Sequence, residues 1–81
     1  MAQLYDVKNK RSQVVARILI FTVGSKPAQH RVGLILQSDF SKYEHVAHKP
    51  KTSDEDVISD LMAKFALSRS EFNCEKVDRQ T

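Results

Sequence analysis

Ser53-Asp-Glu-Asp-Val-Ile-Ser-Asp-Leu-Met-Ala-Lys-Phe-Ala-Leu67 carries the strongest local signal in the chain. Val57, Ile58, Leu61, Met62, Phe65 and Ala66 recur at spacings of one, three and four, which lays one apolar stripe along a helix and obliges it to pack on a sheet or another helix. The start is marked too. Ser53 can accept from the amide of residue 56 while Asp56 reaches back, Thr52 and Glu55 offer the same box one residue earlier, and Asp54, Glu55 and Asp56 complement the positive end of the helix dipole. Pro50 disfavours helical backbone at Lys49. The spacing predicts a helix over 53–67, and capping accounts for its acidic first turn.

Upstream, the chain reads as strand. Ser12 to Val23 holds Val14, Val15, Ile18, Ile20, Thr22 and Val23 beside Phe21, the composition of a central strand apolar on both faces. Gly24-Ser-Lys-Pro27 supplies a turn. In the next run His30, Val32, Leu34 and Leu36 fall on one face and Arg31, Gly33, Ile35 and Gln37 on the other. Val32, Leu34 and Leu36 are expected to face the core. Ser38-Asp-Phe-Ser41 reads as another turn, and Tyr43 to Lys49 alternates weakly, as a third strand or a loop. Residues 1–12 are polar and basic around Leu4, Tyr5 and Val7, an arm or a short strand docked on an edge.

Downstream of the helix, Phe72, Cys74 and Lys76 alternate with Asn73, Glu75 and Val77 as a short last strand. The alternative is a capping box of Ser68 with Glu71, opening a helix from Arg69 to Arg79. The 81 residues therefore resolve into a basic arm or edge strand over 1–12 and a single α+β domain over 13–81. Its expected form is a small single-layer antiparallel sheet, β-β-β-α-β, with one helix packed on one face. The other face, carrying some of Val14, Ala16, Ile18 and Ile20 or their alternates, is left apolar.

Several chemistries lack their residues. Val14 to Val23 is interrupted by Arg17 and spans about half of the roughly 20 residues a membrane helix needs. The first eleven residues hold no apolar core followed by a small-residue cleavage site, so a cytoplasmic location away from membranes is the expectation. Cys74 is the single cysteine and has no partner for a disulfide or a zinc knuckle. Gly24 and Gly33 are isolated, so no phosphate-cradling loop is formed. His45 and His48 sit three apart, and on a strand that spacing sends their rings to opposite faces. Asp56 and Asp60 lie one helical turn apart on an exposed first turn rather than in a cleft. Neither catalytic residues, nor a cofactor, nor a metal are expected.

Charge divides by position. Residues 1–52 carry nine Lys and Arg against Asp6, Asp39 and Glu44, a net of +6, whereas residues 53–81 carry four against seven, a net of −3. Such a dipole favours contacts between unlike surfaces. Lys8, Lys10 and Arg11 in the arm, Arg17 and Arg31 on neighbouring strands, and Lys42, Lys49 and Lys51 around Tyr43 are the candidates for nucleic acid, with Tyr43 or Phe21 to stack a base. Against this stand a net charge of only +3 and the absence of Trp.

Tyr43-Glu-His-Val-Ala-His-Lys-Pro-Lys-Thr-Ser-Asp-Glu-Asp-Val-Ile-Ser-Asp-Leu-Met-Ala-Lys-Phe-Ala-Leu67, followed by Phe72-Asn-Cys-Glu-Lys-Val77, resembles the strand, helix and next strand of Ras-association domains, carried by Val57-Ile58, Lys64-Phe65 and Leu67. The resemblance covers fewer than half of the residues. It implies a ubiquitin-like fold that binds a small GTPase by strand pairing along an edge, with Lys42 and Lys49 as the matching basic residues.

The residues themselves point to a non-enzymatic protein-binding module, regulatory or inhibitory, homodimeric through an exposed sheet face or an edge. A nucleic-acid binder using the basic half and a Ras-association-type domain are the alternatives. Lys10, Arg11, Arg17, Arg31, Lys42, Tyr43 and Lys49 are the candidate partner-binding residues.

Overall fold

The β-branched run forms a ten-residue strand at the centre of a five-stranded sheet in the computed structural model, which describes residues 2–25 and 28–77. The elements are β1 (Gln3–Lys8), β2 (Val14–Val23), β3 (His30–Gln37), β4 (Tyr43–His48), α1 (Asp54–Lys64) and β5 (Asn73–Lys76). All pairings are antiparallel, and the order across the sheet is β4-β3-β2-β1-β5. The first four strands form a meander. α1 then crosses one face, so that the strand before it and the strand after it occupy opposite edges.

The expected α+β architecture, one helix on one face of an antiparallel sheet, is the one observed. Its amino-terminal segment differs from the expectation of an arm or edge strand. Residues 3–8 form β1, hydrogen-bonded between β2 and β5, because Val7 is needed in the core and β5 supplies a second partner. Residues 69–77 form a turn and then β5, not a helix: the Ser68 carbonyl accepts from the amides of Glu71 and Phe72, closing the chain back toward the sheet. Lys26 and Pro27 of the expected turn after β2, and Arg79 of the alternative helix, lie outside the described residues.

α1 begins as its sequence requires, with the Ser53 Oγ accepting from the Asp56 amide at 3.2 Å. It ends at Lys64, three residues before the predicted end at 67. Ala66 adopts a left-handed backbone (φ 55°) and the Leu67 amide bonds back to the Met62 carbonyl at 2.8 Å, a hydrogen-bonded closure that turns Phe65 and Leu67 onto the sheet.

Val57, Ile58, Leu61 and Met62 of α1 meet Val7, Ala16, Ile18, Ile20 and Ile35 of the sheet, and together they are the buried core. β3 contributes the face opposite to the one expected. Gly33 and Ile35 lie under α1, and Val32, Leu34 and Leu36 lie on the other side, half-buried. The reason is close approach. A Cβ at Gly33 would sit 2.4 Å from Val57 Cγ1 and 2.9 Å from Leu61 Cδ1, so the helix seats on the one place where the sheet has no side chain. Gly33→Ala should lower stability by about 1–2 kcal/mol through overpacking against the stiff Val57 side chain. Urea unfolding measures it; an unchanged midpoint would contradict this seating.

Candidate functional site

Alternation along the strands and the pairing register place every strand residue on one of two faces. On the face away from α1, Leu4, Leu19, Leu34 and His45 form one cross-strand row, and Phe21, Val32 and Ala47 form the next. Asp6, Arg17, Leu36 and Tyr43 form the row on the other side. Leu4, Leu19, Phe21, Val32, Leu34 and Leu36 thus make one apolar patch over β1, β2 and β3, half-buried only by one another. No element among the described residues lies over it.

The patch runs on past the end of β3. Phe40, at the tip of the β3–β4 turn, is 78% exposed and held in the left-handed region at φ 62°. Beside it a groove of about 350 Å³ is lined by Val14, Arg17, Leu36, Gln37, Ser38 and Phe40. Tyr43 is 67% exposed at the same end of β4. Toward β5 the apolar surface stops at ion pairs: Arg17 Nε lies 3.0 Å from Asp6 Oδ1, and Lys8 Nζ lies 3.3 Å from Glu75 Oε1.

The face under α1 carries a separate polar cluster. Tyr5 of β1 donates its hydroxyl to Asp54 Oδ2 at 2.5 Å, and the Arg31 guanidinium of β3 pairs with the other oxygen of the same carboxylate. Asp54 therefore does more than complement the helix dipole. It ties the first turn of α1 to two strands. Burial, and then the hydrogen bond to a carboxylate, push the Tyr5 hydroxyl up from 10.0 to about 12. Nothing local in the sequence reveals this cluster, because its three members are brought together only by the crossing of α1.

The seven candidate residues do not converge. Lys10 and Arg11 lie in the β1–β2 turn, with Lys10 Nζ 3.5 Å from Glu71. Arg17 is on the open face and paired with Asp6, whereas Arg31 is on the α1 face and paired with Asp54. Lys42 sits in the β3–β4 turn with its ammonium 4.7 Å from the Phe65 ring centroid, which places it on the α1 side. Tyr43 borders the open face and Lys49 follows β4 at the far end. Val32, Leu34 and Leu36, which alternation assigns to the core, lie instead on the open face beside Leu19 and Phe21. The signal that could have separated them is Gly33, a gap in one face of β3 that only a close helix explains.

The histidines and the cysteine lie apart from one another. His45 faces the open side and His48 the α1 side, where its Nε2 lies 2.9 Å from Asp60 Oδ2. Among the described residues no three His, Cys, Asp or Glu side chains gather as metal ligands. Also among them, no polar or charged residue is fully buried and no helix is long and apolar enough to cross a membrane. Burial pushes the Cys74 thiol up from 9.0 to about 11, which leaves little thiolate at neutral pH.

Two measurements follow from this geometry. Cys74 should react with a thiol reagent at pH 8 about a hundredfold more slowly in the folded than in the urea-unfolded chain; equal rates would contradict its half-buried placement. Tyr5→Phe should cost about 1–2 kcal/mol at neutral pH. A raised folded-state value means the Tyr5 contribution is complete below pH 10 and lost as pH rises from 10 to about 12. Stability of the wild-type chain should therefore fall more steeply across that window than stability of the variant. Comparison with models of known protein families, with curated proteins and with solved structures finds no match to this chain.

Proposed function

We propose that this protein is a small non-enzymatic interaction module that forms a homodimer by stacking the open sheet face of one copy on that of another, and acts as a regulatory or inhibitory protein through the surfaces left free. The observation that carries this reading is the uncovered patch of Leu4, Leu19, Phe21, Val32, Leu34 and Leu36. Five strands about 4.8 Å apart and four to ten residues long give a whole sheet face of roughly 500 Å² in projection, of which the patch over β1, β2 and β3 is the larger part. With Phe40 and Tyr43 at its border, it approaches the roughly 800 Å² per partner of a standard interface.

A second copy suits this surface for two reasons. A two-fold axis lying between the sheets sets an apolar patch on its own image, with the sheets about 10 Å apart and the strands nearly aligned, as in a β-sandwich. The neighbouring charges lie at ion-pair distance within each chain, Asp6 from Arg17 and Lys8 from Glu75, so the border of the patch carries no net charge against its own image. The same pairing weakens the nucleic-acid alternative, since Arg17 and Arg31 are each held by a carboxylate.

Light scattering coupled to size exclusion, at low and high salt, tests this directly. The wild-type chain should run as a dimer or a multiple of one at both salts, because apolar burial is insensitive to screening. Leu34→Lys should halve the mass and leave the circular-dichroism spectrum unchanged. A monomer at high micromolar concentration, or a chain that carries nucleic acid at low salt and sheds it at high salt, would overturn the reading.

A further inference from the structure

The sheet has two free edges, and they differ. β5 is four residues long and carries Glu75 and Lys76. β4 is a regular six-residue strand, Tyr43-Glu-His-Val-Ala-His48, with no proline, lysine or bulge inside it, and Glu44 is the one charged side chain that keeps this edge from pairing unless a partner strand answers it.

Its backbone phase follows from the β3–β4 ladder. The Gln37 amide donates to the Lys42 carbonyl, which makes 37 and 42 a hydrogen-bonded pair. Such pairs recur every second residue in an antiparallel ladder. Ile35 with Glu44, Gly33 with Val46, and Arg31 with His48 are then the bonded pairs. The amides and carbonyls of Glu44, Val46 and His48 therefore point to β3. Those of Tyr43, His45 and Ala47 point outward along the free edge.

The side chains on the α1 face of β4 read Glu44, Val46, His48. That order complements itself when reversed. Glu44 is half-buried and has no salt-bridge partner among the described residues. His48 faces Arg31 across the ladder and Asp60 from α1.

We propose that β4 pairs antiparallel with β4 of a second copy about a two-fold axis at Val46, joining two sheets into one continuous ten-stranded sheet. This register sets Glu44 opposite the partner's His48, and His48 opposite the partner's Glu44. Val46 meets its own image as a non-hydrogen-bonded pair. His45 faces the partner's Ala47, and the outward backbone groups of both are bonded. Shifting the axis to His45 or Ala47 removes both Glu–His pairs, so these carboxylate–imidazole contacts select the register. This interface is independent of the open face, and a chain using both assembles as a tetramer.

Paired cysteines test the register in the full chain carrying Cys74→Ser. His45→Cys and Ala47→Cys chains, mixed and gently oxidised, should give the covalent heterodimer at least tenfold over either homodimer. In the proposed register, two copies of the same position are roughly 9 Å apart and beyond disulfide reach. A face-to-face stack gives no product either, its sheets being about 10 Å apart. In the Leu34→Lys background, which disables the open face, the residual mass should be that of a dimer. Adding Glu44→Lys should take it to a monomer, with at least a tenfold weaker association. Equal homo- and heterodimer yields, no cross-linking, or a dimer unmoved by Glu44→Lys would overturn the β4 pairing. Loss of the heterodimer with retention of a Leu34-dependent dimer would leave the open-face reading standing alone.

Discussion

The contact of Val57 and Leu61 with the bare backbone at Gly33 is the constraint on which the rest of this molecule turns. It sets which face of the sheet is covered, because α1 can approach closely only where β3 offers no Cβ. It fixes the position of the first helical turn, where Asp54 reaches Arg31 and Tyr5 from two different strands. It also determines what is left over. Eleven helical residues cannot cover both faces of a five-stranded sheet, and the uncovered face keeps a full set of large apolar side chains.

Small size sharpens the consequence. A domain of about this length buries little more than 60% of the surface of its unfolded chain, so a further layer on the open face is a large fraction of its available apolar stabilisation. The charged residues do not compete for that surface. Asp6 with Arg17 and Lys8 with Glu75 are ion-paired within the chain and border the apolar patch on its β5 side, and Asp54 with Arg31 is paired on the opposite face. The proposed association through the sheet rests on three features: the bordering charges are paired within the chain, apolar rows are open outward, and one edge carries a regular strand.

Much of the fold was legible because its signals are local. The Ser53 cap, the apolar stripe through Met62, the β-branched run of β2 and the turn at Ser38–Ser41 each rest on residues close in sequence. What was not legible depends on distant partners. β1 became internal only because β5 returns beside it after α1. The two faces of β3 differ little in hydrophobic content, so alternation alone favoured Val32, Leu34 and Leu36 for the core, while the helix chose the face of Gly33 and Ile35. For the same reason an apolar open face was foreseeable in kind but not in its residues. The basic candidates were chosen by charge alone, and folding sent them to both faces and both ends of the sheet.

The central claim is that the open face meets its own image in solution. Isotope-filtered nuclear Overhauser spectroscopy on a mixture of labelled and unlabelled chains tests it most directly. The account predicts intermolecular contacts from the methyl groups of Leu19, Val32 and Leu34, with none from the buried core methyls of Leu61 in α1 or Ile18 in β2. Intermolecular contacts absent from those three side chains at millimolar concentration, with the sheet intact, would contradict it.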